Sequence, residues 1–176
     1  MESVPVLTDA DARRDSIAKN TPAVFIVEEN TAANGAAPWY EMEIASEVSK
    51  WCGLIHVAAS KHRIDVDLAK AIIFMETTHG WYDMFYPFDK TILPMNINYQ
   101  YWRQLGVSKE LIGLPFYNIE YGVILLSRIA VRVHTPTPRK IATLYNFIGA
   151  QKVSDYGARV ANIMSSKPWL NTVCQL

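Results

Sequence analysis

The sequence predicts an all-α protein, and three observations carry the prediction. After Tyr40, apolar residues return at i, i+3 and i+4 through most of the chain, the period of helices with one buried face. Asp65, Ser108, Asn118 and Thr137 each precede such a run as candidate caps, and glycine or proline follows the runs. Strand character is confined to the short apolar patch at residues 23–27. With 176 residues and a hydrophobic fraction of 50%, the chain suffices for one enclosed core, and disorder is excluded for most of its length.

Residues 1–40 read as an extended N-terminal arm and residues 41–176 as the folded body. In the arm, the patch at 23–27 reads as an edge strand or as a strap across the body. The stretch 30–38, rich in Asn, Ala and Gly, reads as a linker. The body opens with a helix on which Ile44, Val48, Trp51, Ile55 and Ala59 share a face, stopping near Arg63. Asp65 then caps a helix over 65–80 that Gly80 ends. Residues 81–96 hold two prolines and no period, a loop of about fifteen residues, and loops of that length in compact domains are usually functional. A short helix over 98–105 ends at Gly106, and Ser108 caps another through Ile112. Asn118 caps a helix over 119–133, where Gly122 on the apolar face predicts close helix–helix approach. Thr137 caps the next, with Pro138 at its first position, and that helix runs to about Ile148. A last helix spans 155–165, ahead of Pro168.

Composition narrows the function classes. Lys plus Arg and Asp plus Glu both number 17, which leaves no net field to attract nucleic acid or an anionic membrane. No run approaches the ~20 apolar residues of a membrane span. The first residues lack the basic and apolar stretches of a Sec signal peptide. Cys52 and Cys174 do not establish a disulfide framework; Cys52 reads as a small buried hydrophobe, paired in the core with His56 one turn on. Five Trp and nine Tyr suit a carbohydrate ligand, whose rings offer apolar faces and neutral polar edges.

Glu76 is the residue that breaks the pattern. Leu68, Ala69, Ile72 and Ile73 form an apolar stripe, and the stripe continues onto a carboxylate. Burial disfavours the charged form of such a group, and a glutamate kept protonated beside a cleft is suited to general acid catalysis. Glu76 and His79 also form an E-x-x-H pair. Di-iron bundles need two further glutamates and a second such pair, and no second pair exists in the chain, so neither metal nor other cofactor is expected. Trp81 reads as a core aromatic, and Glu120 is explained by the dipole at the start of its helix.

Four segments extend the reading. Residues 64–77 end in Glu76-Thr77; Leu93-Pro-Met-Asn-Ile97 follows; Asn118-Ile-Glu-Tyr-Gly122 opens a helix; Ile141-Ala-Thr-Leu-Tyr-Asn146 closes the set. In that order and at those spacings they resemble the motifs of the lysozyme-like lytic transglycosylases and goose-type lysozymes, across most of residues 42–165. The family's Glu-Ser, Gly-Leu-Met-Gln-Ile, Asn-Ile-x-x-Gly and Ala-Tyr-Asn motifs fall on these segments. Leu93-Pro94 stands where the family has Gly-Leu, and Gly149 sits one residue later than the family's glycine.

The resemblance implies a lysozyme-like domain in which Glu76 protonates the β-1,4 glycosidic oxygen between N-acetylmuramic acid and N-acetylglucosamine, then acts as base. It implies Tyr145 as a hydrogen-bond donor near Glu76. Asp89, ahead of Asp83, is the candidate second carboxylate if a water is to be held. Thr77, His79, Met95, Asn96 and Asn146 would line or buttress the sugar subsites. The expected partner is the glycan strand of peptidoglycan, which lies outside the cytoplasm. A chain made there without a Sec signal implies a specialised export apparatus, as for an antibacterial effector, or a phage-type lysis system; an effector implies an immunity protein that plugs the cleft. Two other readings stay open: an inert lysozyme-like glycan-binding module, and a glycosidase acting on chitin or chitosan.

Overall fold

The computed structural model describes residues 25–36, 45–83, 94–97, 99, 108–171 and 174, with backbone alone for 78–83. Among these residues 65% are helical and none forms a strand, so the protein is all-α. Seven α-helices are described: α1 (Ala45–Lys50), α2 (Cys52–His62), α3 (Val66–Asp83), α4 (Lys109–Ile112), α5 (Pro115–Ala130), α6 (Pro138–Asn146) and α7 (Asp155–Ser166). A 3-10 turn follows at Pro168–Asn171. The expected short helix over 98–105 and most of the loop over 81–96 lie outside the described residues.

The helix expected through Trp51 is interrupted there, at φ −102° and ψ 6°. Bonds from Trp51 N to Glu47 O (3.2 Å) and from Ile55 N to Trp51 O (2.9 Å) carry the ladder across the break. Asp65 caps α3, its Oδ1 accepting from Asp67 N at 2.8 Å. Contrary to the sequence expectation, α3 passes through Gly80 and ends at Asp83. A glycine costs a helix interior only about 1 kcal/mol and ends a helix when its backbone turns left-handed, whereas Gly80 stays helical. Glu76 is therefore two turns inside its helix and not at its end.

Helix α5 also departs from expectation. Leu114, extended at φ −93° and ψ 128°, is its N-cap, and Pro115 occupies the first position, where its fixed φ is already helical. Asn118 thus lies in the first turn and not at the cap, and its side chain serves another task. Thr137 and Ser154 cap α6 and α7 through their hydroxyls, which accept from Lys140 N (3.3 Å) and Gly157 N (3.2 Å).

Helix α3 lies at the centre. Ala69, Ala71, Ile72 and Ile73 are fully buried, and Leu68, Phe74 and Met75 nearly so, which leaves the helix enclosed on all sides from Leu68 to Thr77. It packs against α1, α2 and α7, while α5 lies across α2 and α6 pairs with α7. No helix of the described residues is long and apolar enough to cross a membrane.

Residues 25–36 form a strap, and the linker reading fails for 30–36. Phe25 pairs with the backbone of Arg132 and His134, and Glu28 with that of Gln151 and Val153, each through bonds of 2.9 Å. Val27 and Ala33 are buried beneath the strap. The Arg139 guanidinium donates to Ala33 O (2.9 Å) and Asn30 O (3.3 Å), and Arg159 donates to Gly35 O and Ala36 O. Asn30 and Asn34, which signal turns in the sequence, accept from Ala32 N (3.1 Å) and Ala36 N (2.7 Å). Turn chemistry and a linker look alike in a sequence; donors reaching in from α6 and α7 decide between them.

The cysteines require a second correction. Cys52 and Cys174 form a disulfide, with Cα atoms 5.4 Å apart across a separation of 122 residues. The 3-10 turn packs on α1 and Trp169 is buried, which brings the C-terminal segment back onto α2. His56 is exposed, so no core pair with Cys52 exists.

Candidate active site

Glu76 is buried, with 6% of its surface exposed, although it carries an ionisable group. Isolated burial of a carboxylate is costly, so its partners decide whether the site is tenable. Asn96 Nδ2 donates to Oε2 at 2.6 Å, and the Tyr156 hydroxyl donates to Oε1 in a short bond. Both donors are neutral. Both stabilise the ionised form by hydrogen bonding.

Asn96 is placed by the residue before it. Met95 N donates to Asn118 Oδ1 at 2.7 Å, and Met95 O accepts from the Tyr145 hydroxyl at 2.7 Å. Asn118 is wholly buried, and its Nδ2 donates in turn to Ile112 O at 3.2 Å. With its peptide groups clamped by α5 and α6, the chain turns left-handed at Asn96 (φ 51°), a conformation asparagine tolerates better than most residues. The Met95 side chain is fully buried against Gly122, where a Cβ would come within 2.9 Å of Met95 Cβ. Gly122 therefore serves a close approach, as expected, but to the side chain beneath the site and not to another helix.

The sequence-predicted residues divide accordingly. Glu76, Met95, Asn96 and Tyr145 come together, with Tyr145 bonded to the Met95 carbonyl. Thr77 is buried beside Glu76, and its Oγ1 donates to Ile73 O at 2.7 Å, back into its own helix. Asn146 is exposed at the end of α6. Asp89 lies outside the described residues, as do the side chains of His79, Trp81 and Asp83. Among the described residues, no three His, Cys, Asp or Glu side chains gather as they would around a metal ion.

Sequence reasoning missed Tyr156. Its signal is the one that marks Glu76: Tyr156 stands at i, i+4 and i+7 with Val160 and Ile163, both buried, so a hydroxyl occupies an apolar face. Burial, and then the negative charge of Glu76, push the Tyr156 hydroxyl well above the ordinary tyrosine range; the same two causes raise Tyr145. Both remain neutral phenols through the physiological range and act as donors. One acceptor is left over, since Asn96 Oδ1 is buried and meets no donor among the described residues. Unsatisfied buried acceptors are rare, and this one adjoins the carboxyl group.

The arrangement can give a proton to an ether oxygen, or take one from a hydroxyl, at Glu76, while Asn96 Oδ1 accepts from a donor on the substrate. Comparison with known protein families, characterised proteins and solved structures finds no match.

Proposed function

We propose that the protein is a lysozyme-like peptidoglycan glycosidase, a muramidase or lytic transglycosylase, with Glu76 as the proton donor. One observation carries the reading. Segments far apart in the sequence, each picked out by its resemblance to a lysozyme-like motif, meet through consecutive hydrogen bonds at one buried carboxyl group. Asn118 and Tyr145 hold Met95, and Asn96 next to it reaches Glu76.

In the proposed mechanism, protonated Glu76 gives its proton to the glycosidic oxygen as the bond to the muramic acid anomeric carbon breaks. The carboxylate so formed is stabilised where it stands by the Asn96 amide and the Tyr156 phenol, donors already aimed before charge develops. Glu76 then takes a proton from the sugar's 6-hydroxyl, which closes an anhydro ring, or from water, which yields a reducing end. Asn96 Oδ1 is suited to accept from the N–H of an N-acetyl group. The disulfide supports action in an oxidising compartment, where such bonds persist.

Mass spectrometry of fragments released from purified sacculi tests the reading. The parent protein is expected to release disaccharide-containing fragments, and a correctly folded Glu76→Gln protein to release none. Products lighter by one water identify the transglycosylase. Undiminished release by Glu76→Gln would overturn the role of Glu76, while binding of sacculi without release would identify an inert module.

A further inference from the structure

Helix α6 buries a hydroxyl that the proposed mechanism does not use. Thr143 is wholly enclosed, and its Oγ1 accepts from Ser154 N at 3.1 Å and from the Ser154 hydroxyl at 3.3 Å. Ser154 is the cap of α7, and its own Oγ accepts from Gly157 N at 3.2 Å. A threonine inside a helix often spends its hydroxyl on a carbonyl one turn back, as Thr77 does on Ile73. Thr143 presents its oxygen to the first turn of the neighbouring helix. A valine would fill the same space, so the oxygen is to be explained by what it holds.

That turn carries Tyr156, whose phenol donates to Glu76 Oε1. Gly157 follows it, and a Cβ there would overlap Thr143 Oγ1 and Arg139 O and lie 3.1 Å from Thr143 N. The two helices therefore meet backbone to backbone beside Tyr156. Further along, α7 is seated by Ala158, Val160 and Ile163, whose apolar contacts have no preferred direction. Hydrogen bonds do have one, and they weaken steeply as their angle closes. Thr143 also stands two positions before Tyr145, which holds the Met95 carbonyl. One side chain thus sets α7 against α6 where each helix brings a phenol to the site.

We propose that Thr143 is a positioning residue for the candidate active site, its hydroxyl oxygen fixing the first turn of α7 so that Tyr156 reaches Glu76. It acts through Tyr156. Its effect on rate rests on the reading of Glu76 as proton donor, whereas the placement itself is measured without any glycan.

Carbon-13 NMR titration of the glutamate carboxyl groups in the full-length protein tests it, the Glu76 signal being assigned by its absence from Glu76→Gln. Loss of a donor to the carboxylate raises the pH at which the group titrates. Tyr156→Phe should raise the Glu76 midpoint by about one unit, and Thr143→Val should raise it by less. Thr143→Ser, which keeps the oxygen, should return the midpoint to that of the parent. In a Tyr156→Phe background Thr143→Val should move it no further, because the group it positions is gone. Ser154→Ala removes one of the two bonds to Thr143 and should also raise the midpoint. Losing one cap costs less than a typical domain's stability, so this variant reports even if Thr143→Val does not fold. Midpoints unmoved by Thr143→Val and Ser154→Ala, a Thr143→Ser shift as large as that of Thr143→Val, or an equal Thr143→Val shift with and without the Tyr156 phenol would each overturn the assignment. Midpoints that move as stated in a protein that releases no glycan would uphold the positioning role and overturn the glycosidase reading.

Discussion

Glu76 and Glu120 are both helix-borne glutamates shielded from water, and the protein holds them in opposite ways. On α5, Glu120 Oε1 receives Lys61 Nζ at 2.6 Å and His62 Nε2 at 2.8 Å, both from the end of α2. Burial pushes the Glu120 carboxyl up, but the bonds from Lys61 and His62 outweigh it and hold the group below its ordinary value. Glu76 accepts from an amide and a phenol. The Lys61 ammonium favours the ionised form of Glu120, and the two bonds tie α5 to α2. An amide and a phenol stabilise a carboxylate without adding charge of their own, which suits Glu76 to the proton transfer proposed for it.

The largest expected effect separates the two by rate. Glu76→Gln should lower glycan release by about 10²–10⁴-fold, the usual contribution of a positioned acid, whereas Glu120→Gln should leave the rate close to that of the parent. Tyr156→Phe should fall between them. It removes one hydrogen bond to a charged group, worth about 1.5–3 kcal/mol, and so roughly a tenfold to hundredfold loss if the bond tightens as Glu76 ionises. Single-turnover rates on a soluble muropeptide measure all three. Equal rates for Glu76→Gln and Glu120→Gln would erase the distinction between the two glutamates.

Next come two changes that act on stability. Reducing Cys52–Cys174 releases a closed loop of more than a hundred residues, and about 2–4 kcal/mol should be lost, read as a lower urea midpoint. Gly122→Ala places a methyl group against Met95, and overpacking of that kind costs about 1–3 kcal/mol. The two differ in where the strain arrives. Below its unfolding midpoint the reduced protein should keep its rate, because the disulfide does not touch Glu76. Gly122→Ala should lose rate as well, because Met95 sets the position of Asn96.

The helices were largely legible in the sequence, because apolar period and hydroxyl caps are local: Asp65, Ser108 and Thr137 act where their neighbours predict. Glu76 was legible for a related reason, since a carboxylate on an apolar stripe is visible without coordinates. What the sequence hid depends on distant partners. Tyr156 reads as one more aromatic until α7 is packed on α3. The strap reads as a linker until Arg139 and Arg159 are seen to hold its carbonyls. The disulfide joins the two ends of a 122-residue separation, a pairing no local pattern contains. Gly80 misled for the converse reason: the signal is real, but a glycine only permits a stop.

The smallest effect tests the other half of the comparison, and pH supplies the lever. Because the folded state holds Glu120 below its ordinary value, the stabilisation from its ion pairs is complete above the unfolded pKa of about 4.3. It is lost as pH falls through the lower folded value. Lys61 is 63% exposed, so solvent screens the pair and its worth is about 0.5–1 kcal/mol. Glu120→Gln should therefore be less stable than the parent by that amount at neutral pH, and the gap should close in acid. Molar salt should narrow it as well, by screening the exposed partner. Urea unfolding of the two proteins across this range checks the sign. A gap that stays constant into strong acid would mean that Glu120 is held by shape and not by charge, and the contrast with Glu76 would then rest on packing alone.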